Sequence, residues 1–310
     1  MESDMDRFPP TELRRVAAWI AENKVDVVHT HMSRAHNFGV LLKRFCRIPV
    51  VATAHAQYIQ LHWRFNDLVL ANSSATTRFH RRYNLVSAAK IRTVFCFADL
   101  HRFLTTGKKL IPYIRGELHA RDGRFLIGVI GEVIARKGHR YLFEAMPQIL
   151  EKIPDARIIL IGRFHRQEKC TRALRHIQKT LKLHRRIHWL GRRENVNAYL
   201  SAMNVCVVPS IVEPLGLVAV ESQAVGVPVV ASNVGGLPEI VRHEESGLLV
   251  PPRDPGAIAA AVIRLHGDEQ LRSRVIEKGQ IDAAEMFDPK RLTAQVVEAY
   301  QSLIESFLSR

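Results

Sequence analysis

At 310 residues the chain has room for two α/β domains, and its 47% hydrophobic and 24% charged residues are typical of a folded protein. This composition excludes a disordered or low-complexity protein. Lys and Arg number 45 against 30 Asp and Glu, giving a net charge of +15. The excess indicates an anionic partner, which for basic proteins is nucleic acid, a membrane surface or a phosphorylated substrate.

The sequence predicts a cytoplasmic protein whose membrane contact, if it has any, is peripheral. No apolar stretch reaches the ~18 residues that a membrane span needs, and the start, MESDMDRFPP, has no apolar signal core. The cysteines have neither CxxC nor metal-ligand spacing, so we expect reduced, buried thiols. They are Cys46, Cys96, Cys170 and Cys206.

Strands alternate with helices along the first third of the chain. The apolar runs predict strands over 25–31, 47–55, 67–73 and 91–97. Helices are expected over 10–23, 34–45 and 76–83, the last capped by Asn72 or Ser73. This order predicts a parallel sheet with helices on both faces.

Three histidines stand at the ends of the first two strands: His29, His31 and His55. The pair at 29 and 31 is similar to metal-ligand pairs of barrel hydrolases. That interpretation is disfavoured, because the chain lacks eight βα units and a set of acidic ligands. A lone histidine at a strand end is more often a hydrogen-bonded structural residue.

The polar segment 104–123 is expected to be a linker, and strand, loop and helix follow over 125–146. Lys137 and Gly138 precede that helix, where a lysine can contact a phosphate, although an exposed basic loop is the plainer interpretation. Further strands are predicted over 156–165 and 186–193. Beyond residue 255 the pattern is helical, and a last helix is expected over 289–308.

The stretch 204–232 carries the clearest site. A buried strand is predicted over 204–210, then a turn with Glu213, and then a helix that begins near Leu215 or Gly216 and ends before Gly226. The next strand follows over 227–232, so the unit is a parallel βαβ motif whose ligand lies at the carboxyl ends of the strands.

Backbone N–H groups of Gly216 and Leu217 would be free to receive a phosphate at the helix start. Glu221 lies about 7 to 8 Å further along the helix. A carboxylate accepts two hydrogen bonds from a diol, so Glu221 suits a ribose and Glu213 a sugar. The plainer alternative is a surface helix that happens to carry glutamates.

The motifs of this stretch resemble those of the retaining glycosyltransferases of family 4. They are EPLGLVAVE (213–221), AVGVPVVAS (224–232), GGLPEIV (235–241) and GLLVPP (247–252). Weaker matches in the first third are DVVHTH (26–31), IPVVATAH (48–55), NDLVLANS (66–73) and the segment from Val94, which lacks the family's Asn-Gly pair.

The resemblance implies a GT-B fold, in which two Rossmann-like parallel-sheet domains face each other across a cleft. We expect a short acceptor-side domain over 1–115, a nucleotide-sugar donor domain over 116–286, and a terminal helix over 287–310 that crosses back. The N-terminal domain is expected to be incomplete, because the family's first β-α units and its glycine-rich loop have no match before residue 25.

The resemblance also assigns roles. Glu213 contacts the donor sugar, Glu221 holds its ribose, and His55 faces the sugar from the N-terminal domain. Lys137 matches the lysine on the donor diphosphate, but the family's arginine is replaced by Glu132, a reversal of charge. Arg136 is expected to compensate. Gly191 and Arg192 are weak candidates for contact with the base.

The function expected from the resemblance is transfer of a sugar, with retention, from a UDP- or GDP-sugar to a cell-envelope or lipid-linked acceptor such as lipopolysaccharide. No metal and no cofactor are expected. An anionic membrane surface is a possible partner and nucleic acid is not, because the aromatics are not interleaved with the charges. The alternative is a non-catalytic or fragmentary GT-B relative that binds a nucleotide sugar without transferring it.

Overall fold

The computed structural model describes residues 9–96, 100–120, 122–165 and 167–309, with the side chains of 101–109 left aside. Two stretches lie outside the described residues. They are the acidic start of the chain and the segment 97–99, where this sequence lacks the family's Asn-Gly pair. Contacts divide the chain into two units, Met1–Phe97 with Pro289–Arg310, and Ala98–Asp288.

The first unit contains short buried strands, rich in Val, Leu and Ala, that alternate with helices. In chain order the elements are α1 (Pro10–Glu22), β1 (Val28–His31), α2 (Ser33–Leu42), β2 (Val50–Ala54), a 3₁₀ helix (Leu61–Phe65), β3 (Leu68–Ala71), α3 (Ser74–Tyr83), a 3₁₀ turn (Ala88–Lys90) and β4 (Ile91–Thr93). The strands form a parallel sheet in the order β1-β2-β3-β4. Ser73 caps α3, since its Oγ accepts from the N–H of Thr76 at 3.0 Å.

The second unit begins with α4 (Leu100–Glu117), β5 (Leu126–Ile130) and a 3₁₀ turn (Ala135–Lys137). It continues with α5 (His139–Lys152), β6 (Arg157–Ile161), α6 (Lys169–Thr180), β7 (Ile187–Gly191), α7 (Val196–Ser201) and β8 (Val205–Val208). It ends with α8 (Leu217–Ala224), β9 (Val229–Ser232), α9 (Leu237–Ile240), β10 (Leu248–Val250), α10 (Pro255–Gly267) and α11 (Glu269–Met286).

Its strands form a six-stranded parallel sheet in the order β10-β9-β8-β5-β6-β7. The order reverses between β5 and β8, the crevice at which ligands of such sheets bind. A continuous core packs α5 and α10 on this sheet around Phe143, Met146 and Val262. The carboxyl ends of β5 and β8 carry the loops of Lys137 and Glu213.

The expected linker over 104–123 is wrong, because α4 is helical from Leu100 to Glu117. Its end is fixed on the second unit. Arg115 donates from Nη1 to the carbonyl of Ala202 at 2.9 Å, and Tyr199 donates to Glu117 Oε2 at 2.9 Å. The sequence-based division places 98–115 with the first domain, whereas these contacts join α4 to the second unit.

The chain then returns to the first unit through α12 (Pro289–Leu308). Ala299 of this helix is 1% exposed and packs with Val51, Leu68 and Leu70 of the first sheet. Among the described residues, no helix has the length and apolar character needed to cross a bilayer.

Candidate functional site

Glu213 and Lys137 form an ion pair at the carboxyl edge of the second sheet. Lys137 Nζ lies 2.7 Å from Glu213 Oε2, and the two side chains are 18% and 8% exposed. Ser210 also donates to Glu213 Oε2, at 2.8 Å. One carboxylate oxygen, Oε2, therefore has two partners, the partly exposed Lys137 ammonium and the buried Ser210 hydroxyl.

Backbone hydrogen bonds join the two loops that carry this pair. The N–H of Ile211 donates to the carbonyl of Arg136 at 2.7 Å. The loop after β8 is thereby fixed to the loop after β5, which places Glu213 beside Lys137. The Arg136 side chain is exposed, and no hydrogen bond or ion pair of that side chain to a described residue is found.

Gly216 is the N-cap of α8, which begins at Leu217, one residue after the later of the two starts expected. Its φ is +105°, in the left-handed region, and a Cβ there would lie 2.5 Å from Leu237 Cδ2 and 3.5 Å from Glu213 Cγ. Only glycine fits this turn. The turn brings the first N–H groups of α8, including that of Leu217, next to Glu213.

Glu221 lies in α8 between buried residues, and burial raises the pKa of its carboxyl to about 7. Ionised carboxylates are costly in apolar surroundings unless donors reach them. No hydrogen bond to its side chain is found among the described residues. A ligand with two adjacent hydroxyls would supply the missing donors.

A second arginine lies at the same edge, which sequence reasoning missed. Arg163, in the loop after β6, donates to Glu132 Oε1 from Nε at 3.0 Å and from Nη2 at 2.5 Å. The only sequence signal was Glu132, which stands where the family has an arginine.

His55 lies in the first unit, in a cluster of side chains at the carboxyl ends of β1, β2 and β4. His31 Nδ1 is 3.1 Å from His55 Nε2, and Cys96 Sγ is 3.6 Å from His55 Nδ1. Both ring nitrogens of His55 thus have a neighbour. Burial, together with the charge of His31, lowers the pKa of His55.

His29 lies deeper in the same cluster and is bonded through both ring nitrogens, to Tyr300 OH at 2.5 Å and to Thr53 Oγ1 at 2.6 Å. Burial and the neighbouring histidines lower its pKa to about 4, so it is neutral at physiological pH. Among the described residues no group of His, Cys, Asp and Glu is arranged to hold a metal ion. The metal-hydrolase interpretation of these histidines is not supported.

Two family models match the chain. Residues 3–102 match "Glycosyltransferase Family 4" and residues 124–268 match "Glycosyl transferases group 1". Among curated proteins, an uncharacterised glycosyltransferase of Methanocaldococcus jannaschii is 26% identical over 96% of this chain and 80% of its own length. The D-inositol 3-phosphate glycosyltransferase of Corynebacterium glutamicum is 27% identical over 90% of this chain and 72% of its own length.

Solved structures share the fold. Anabaena Alr3699/HepE in complex with UDP superposes with a TM-score of 0.85 at 24% identity, covering 97% of this chain and 84% of that one. Sucrose-phosphate synthase of Thermosynechococcus elongatus gives 0.82 at 26% identity, covering 96% and 80%.

Two parallel-sheet α/β domains and these likenesses define the class of protein, a glycosyltransferase with the GT-B fold. The chain belongs to glycosyltransferase family 4 and is a transferase enzyme.

Proposed function

We propose that this protein transfers a sugar from a nucleoside diphosphate donor, with UDP or GDP as the leaving group, to a cell-envelope glycan or a lipid-linked acceptor such as lipopolysaccharide. The observation that carries the proposal is the Lys137–Glu213 ion pair beside the start of α8. Support for UDP comes from Alr3699/HepE, whose crystal structures contain UDP or UDP-glucose. Support for an envelope acceptor comes from relatives such as the phosphatidyl-myo-inositol mannosyltransferase of Mycolicibacterium smegmatis, 27% identical over 96% of this chain and 76% of its own length.

In the proposed complex each group meets one part of the donor. The Lys137 ammonium and the N–H groups of Gly216 and Leu217 neutralise the diphosphate, which develops negative charge as it leaves. Arg136 is proposed to assist them. Glu221 accepts hydrogen bonds from the ribose diol, and Glu213 from hydroxyls of the sugar.

The proposed reaction uses no metal cofactor, and Lys137 with the start of α8 supplies the positive potential for the diphosphate. When the diphosphate binds, Lys137 exchanges part of its contact with Glu213 for phosphate oxygens, and Glu213 is left to accept from the sugar. Transfer passes through an oxocarbenium-like state, in which a positioned acceptor hydroxyl attacks as the diphosphate departs. Retention of configuration is proposed from the family alone.

His55 is proposed to act in turnover. Its lowered pKa favours the neutral ring, which has one acceptor nitrogen, and a sugar hydroxyl would have to take the place of His31 or Cys96 to reach it. On replacement by alanine we expect kcat to fall more than the affinity for UDP. Equal losses in both quantities would assign His55 to binding.

The test of the donor site is calorimetric titration with UDP and with GDP in the presence of a metal chelator, at pH 8, where Glu221 is ionised. We expect one nucleotide to bind and Glu221→Ala to weaken it about tenfold or more, by loss of the ribose hydrogen bonds. Glu151→Ala, an exposed glutamate at the far end of α5, is the matched control. If neither nucleotide binds, or if both variants bind as well as the parent, the proposed donor site is wrong.

A further inference from the structure

Six large apolar side chains stand exposed within one short part of the first unit. Their exposed fractions lie between 46% and 66%. They are Tyr58, Ile59, Leu61, Phe65, Tyr83 and Leu85, called here the 58–85 surface. Single exposed apolar residues are ordinary, but a group of this size in one region indicates a binding surface.

One buried side chain joins the two segments that carry these residues. Asn84 has no exposed surface. Its Nδ2 donates to the carbonyl of Tyr58 at 2.8 Å, and its Oδ1 accepts from the N–H of Gln60 at 2.7 Å. The loop with Tyr58 and Ile59 is therefore fixed beside Tyr83 and Leu85, the neighbours of Asn84 in sequence.

Trp63 fixes the 3₁₀ helix between Leu61 and Phe65. It is 3% exposed, and its ring packs between those of His36 and His80, at centroid distances of 4.3 and 4.4 Å. With Trp63 turned inward, Leu61 and Phe65 on either side of it remain in solvent. The apolar side chains are thus displayed by an ordered backbone rather than by a loose loop.

The two segments that carry this surface contain only positive charges. Residues 55–66 and 74–92 contain no Asp or Glu, while Arg64, Arg78, Arg81 and Arg82 are exposed. None of these arginines forms an ion pair with a described acidic side chain. Two lie over the apolar group, Arg64 5.4 Å from the ring of Phe65 and Arg82 5.5 Å from that of Tyr83.

Aliphatic and aromatic side chains with unpaired arginines in contact with them match the boundary of an anionic bilayer. Tyrosine and phenylalanine favour the headgroup level, and each nearby arginine is attracted to anionic lipid. A protein partner of the same shape would need an acidic rim of its own, whereas phosphate groups supply that charge along the whole surface.

We propose that the 58–85 surface docks the first unit on a bilayer of anionic phospholipid, with the apolar side chains in the interface and the arginines on lipid phosphates. The inference deepens the proposed function, because a docked enzyme would meet a lipid-linked acceptor. Docking itself requires no nucleotide, so each proposal can fail without the other.

The test uses the full chain, without nucleotide, sedimented with vesicles of phosphatidylcholine alone or mixed with phosphatidylglycerol. We expect binding to the mixed vesicles only, and weaker binding as salt rises. Ile59→Ser/Leu61→Ser/Phe65→Ser is expected to bind about tenfold more weakly, since three buried apolar contacts are lost. Arg81→Glu/Arg82→Glu should also bind weakly.

The matched control is Lys179→Glu/Lys182→Glu, which makes the same change of net charge on exposed lysines of the second unit. It should retain binding, and all variants should keep the parent's unfolding transition in urea, which shows that they fold. Equal losses in the two charge-reversal variants would overturn the proposal in favour of non-specific attraction. Failure of the parent to bind mixed vesicles would overturn it too, as would a serine variant that converts an oligomer into a monomer, which would identify a protein interface.

Discussion

At the scale of single residues, Lys137 and Arg136 are neighbours in sequence with different environments. Lys137 is partly buried against Glu213, whereas the Arg136 side chain is in solvent and only its carbonyl is engaged. Burial strengthens a charge interaction, and exposure to water and salt screens it. The two cations should therefore contribute unequally to the binding of a diphosphate.

We expect Lys137→Ala to weaken UDP binding about tenfold or more and Arg136→Ala to weaken it by a smaller factor. Arg163→Ala tests whether the guanidinium held by Glu132 supplies the charge instead. Titration of the three variants beside Arg253→Ala, an exposed arginine after β10, measures each factor. If Arg136→Ala binds UDP as tightly as the parent does while Lys137→Ala does not, the expectation that Arg136 compensates for the charge reversal at Glu132 is wrong.

Local sequence predicted which residues carry charge at this site, but not all of their partners. The short run from Glu213 to Glu221 contains the turn, the glycine and the helix start, so those positions could be read directly. Glu132 and Arg163 are thirty-one positions apart, and their pairing depends on β5 and β6 being neighbours in the sheet. The link from His29 to Tyr300 spans the two ends of the first unit and left no local signal.

At the scale of elements, the loops after β5 and β6 are in direct backbone contact. Gly162 has a φ of +153°, and a Cβ there would lie 1.9 Å from the carbonyl oxygen of Gly131. The N–H of Val133 donates to the carbonyl of Arg163 at 3.0 Å beside this contact. The loops that carry Glu132 and Lys137 can therefore approach the loop after β6 this closely only because residue 162 is glycine.

Gly162→Ala should lower the free energy of unfolding by about 1 to 3 kcal/mol, because one of the two backbones must move. UDP binding should weaken as well, since the loop with Lys137 shifts. Urea unfolding followed by fluorescence, with titration of each variant, measures both effects. Gly267→Ala is the control, because a Cβ at the end of α10 meets nothing within 4 Å, and unchanged stability in Gly162→Ala would contradict the contact.

Secondary structure was the most predictable feature, and the one large error has a physical cause. The last helix was expected over 289–308 and spans Pro289–Leu308, because its apolar positions recur at helical spacing. The segment 104–123 contains Gly107, Pro112 and Gly116, which predicted a linker. Its helix is stabilised by tertiary contacts, among them those of Arg115 with the second unit, and such contacts override weak local propensity.

At the scale of the whole molecule, buried neutral histidines make stability depend on pH. Burial, with nearby positive groups, lowers the pKa of His29 to about 4, of His36 to about 3 and of His139 to about 4. In the unfolded chain these rings take up a proton near pH 6.5. The unfolded state therefore binds more protons between pH 6.5 and 4, and stability falls as pH falls through that range.

Glu221 acts in the opposite direction. Its pKa of about 7 lies above the unfolded value, so between pH 7 and about 4.5 the folded state holds a proton that the unfolded state releases. The histidines outnumber it. We expect the free energy of unfolding to decrease from pH 7 to pH 5, with a slope near 1.4 kcal/mol per unit for each net proton bound.

Urea unfolding at intervals of pH measures that slope. His139→Gln should make the slope shallower, because the ring is 2% exposed and takes up its proton only after unfolding. The control is His184→Gln, an exposed histidine whose replacement should leave the slope unchanged. The slope is the readout, so a loss of stability common to all pH values does not affect it. A stability that is level or rises toward pH 5 would contradict the expected linkage.

The return of α12 to the first unit sets an order of events during synthesis. The face of the first sheet formed by Val51, Leu68 and Leu70 is covered by Ala299, yet the ribosome makes the whole second unit before it makes that residue. The nascent chain therefore carries an uncovered apolar sheet while the second unit is already complete enough to fold. A chaperone that holds apolar segments would find its target in the first unit, and the synthesis of α12 would release it.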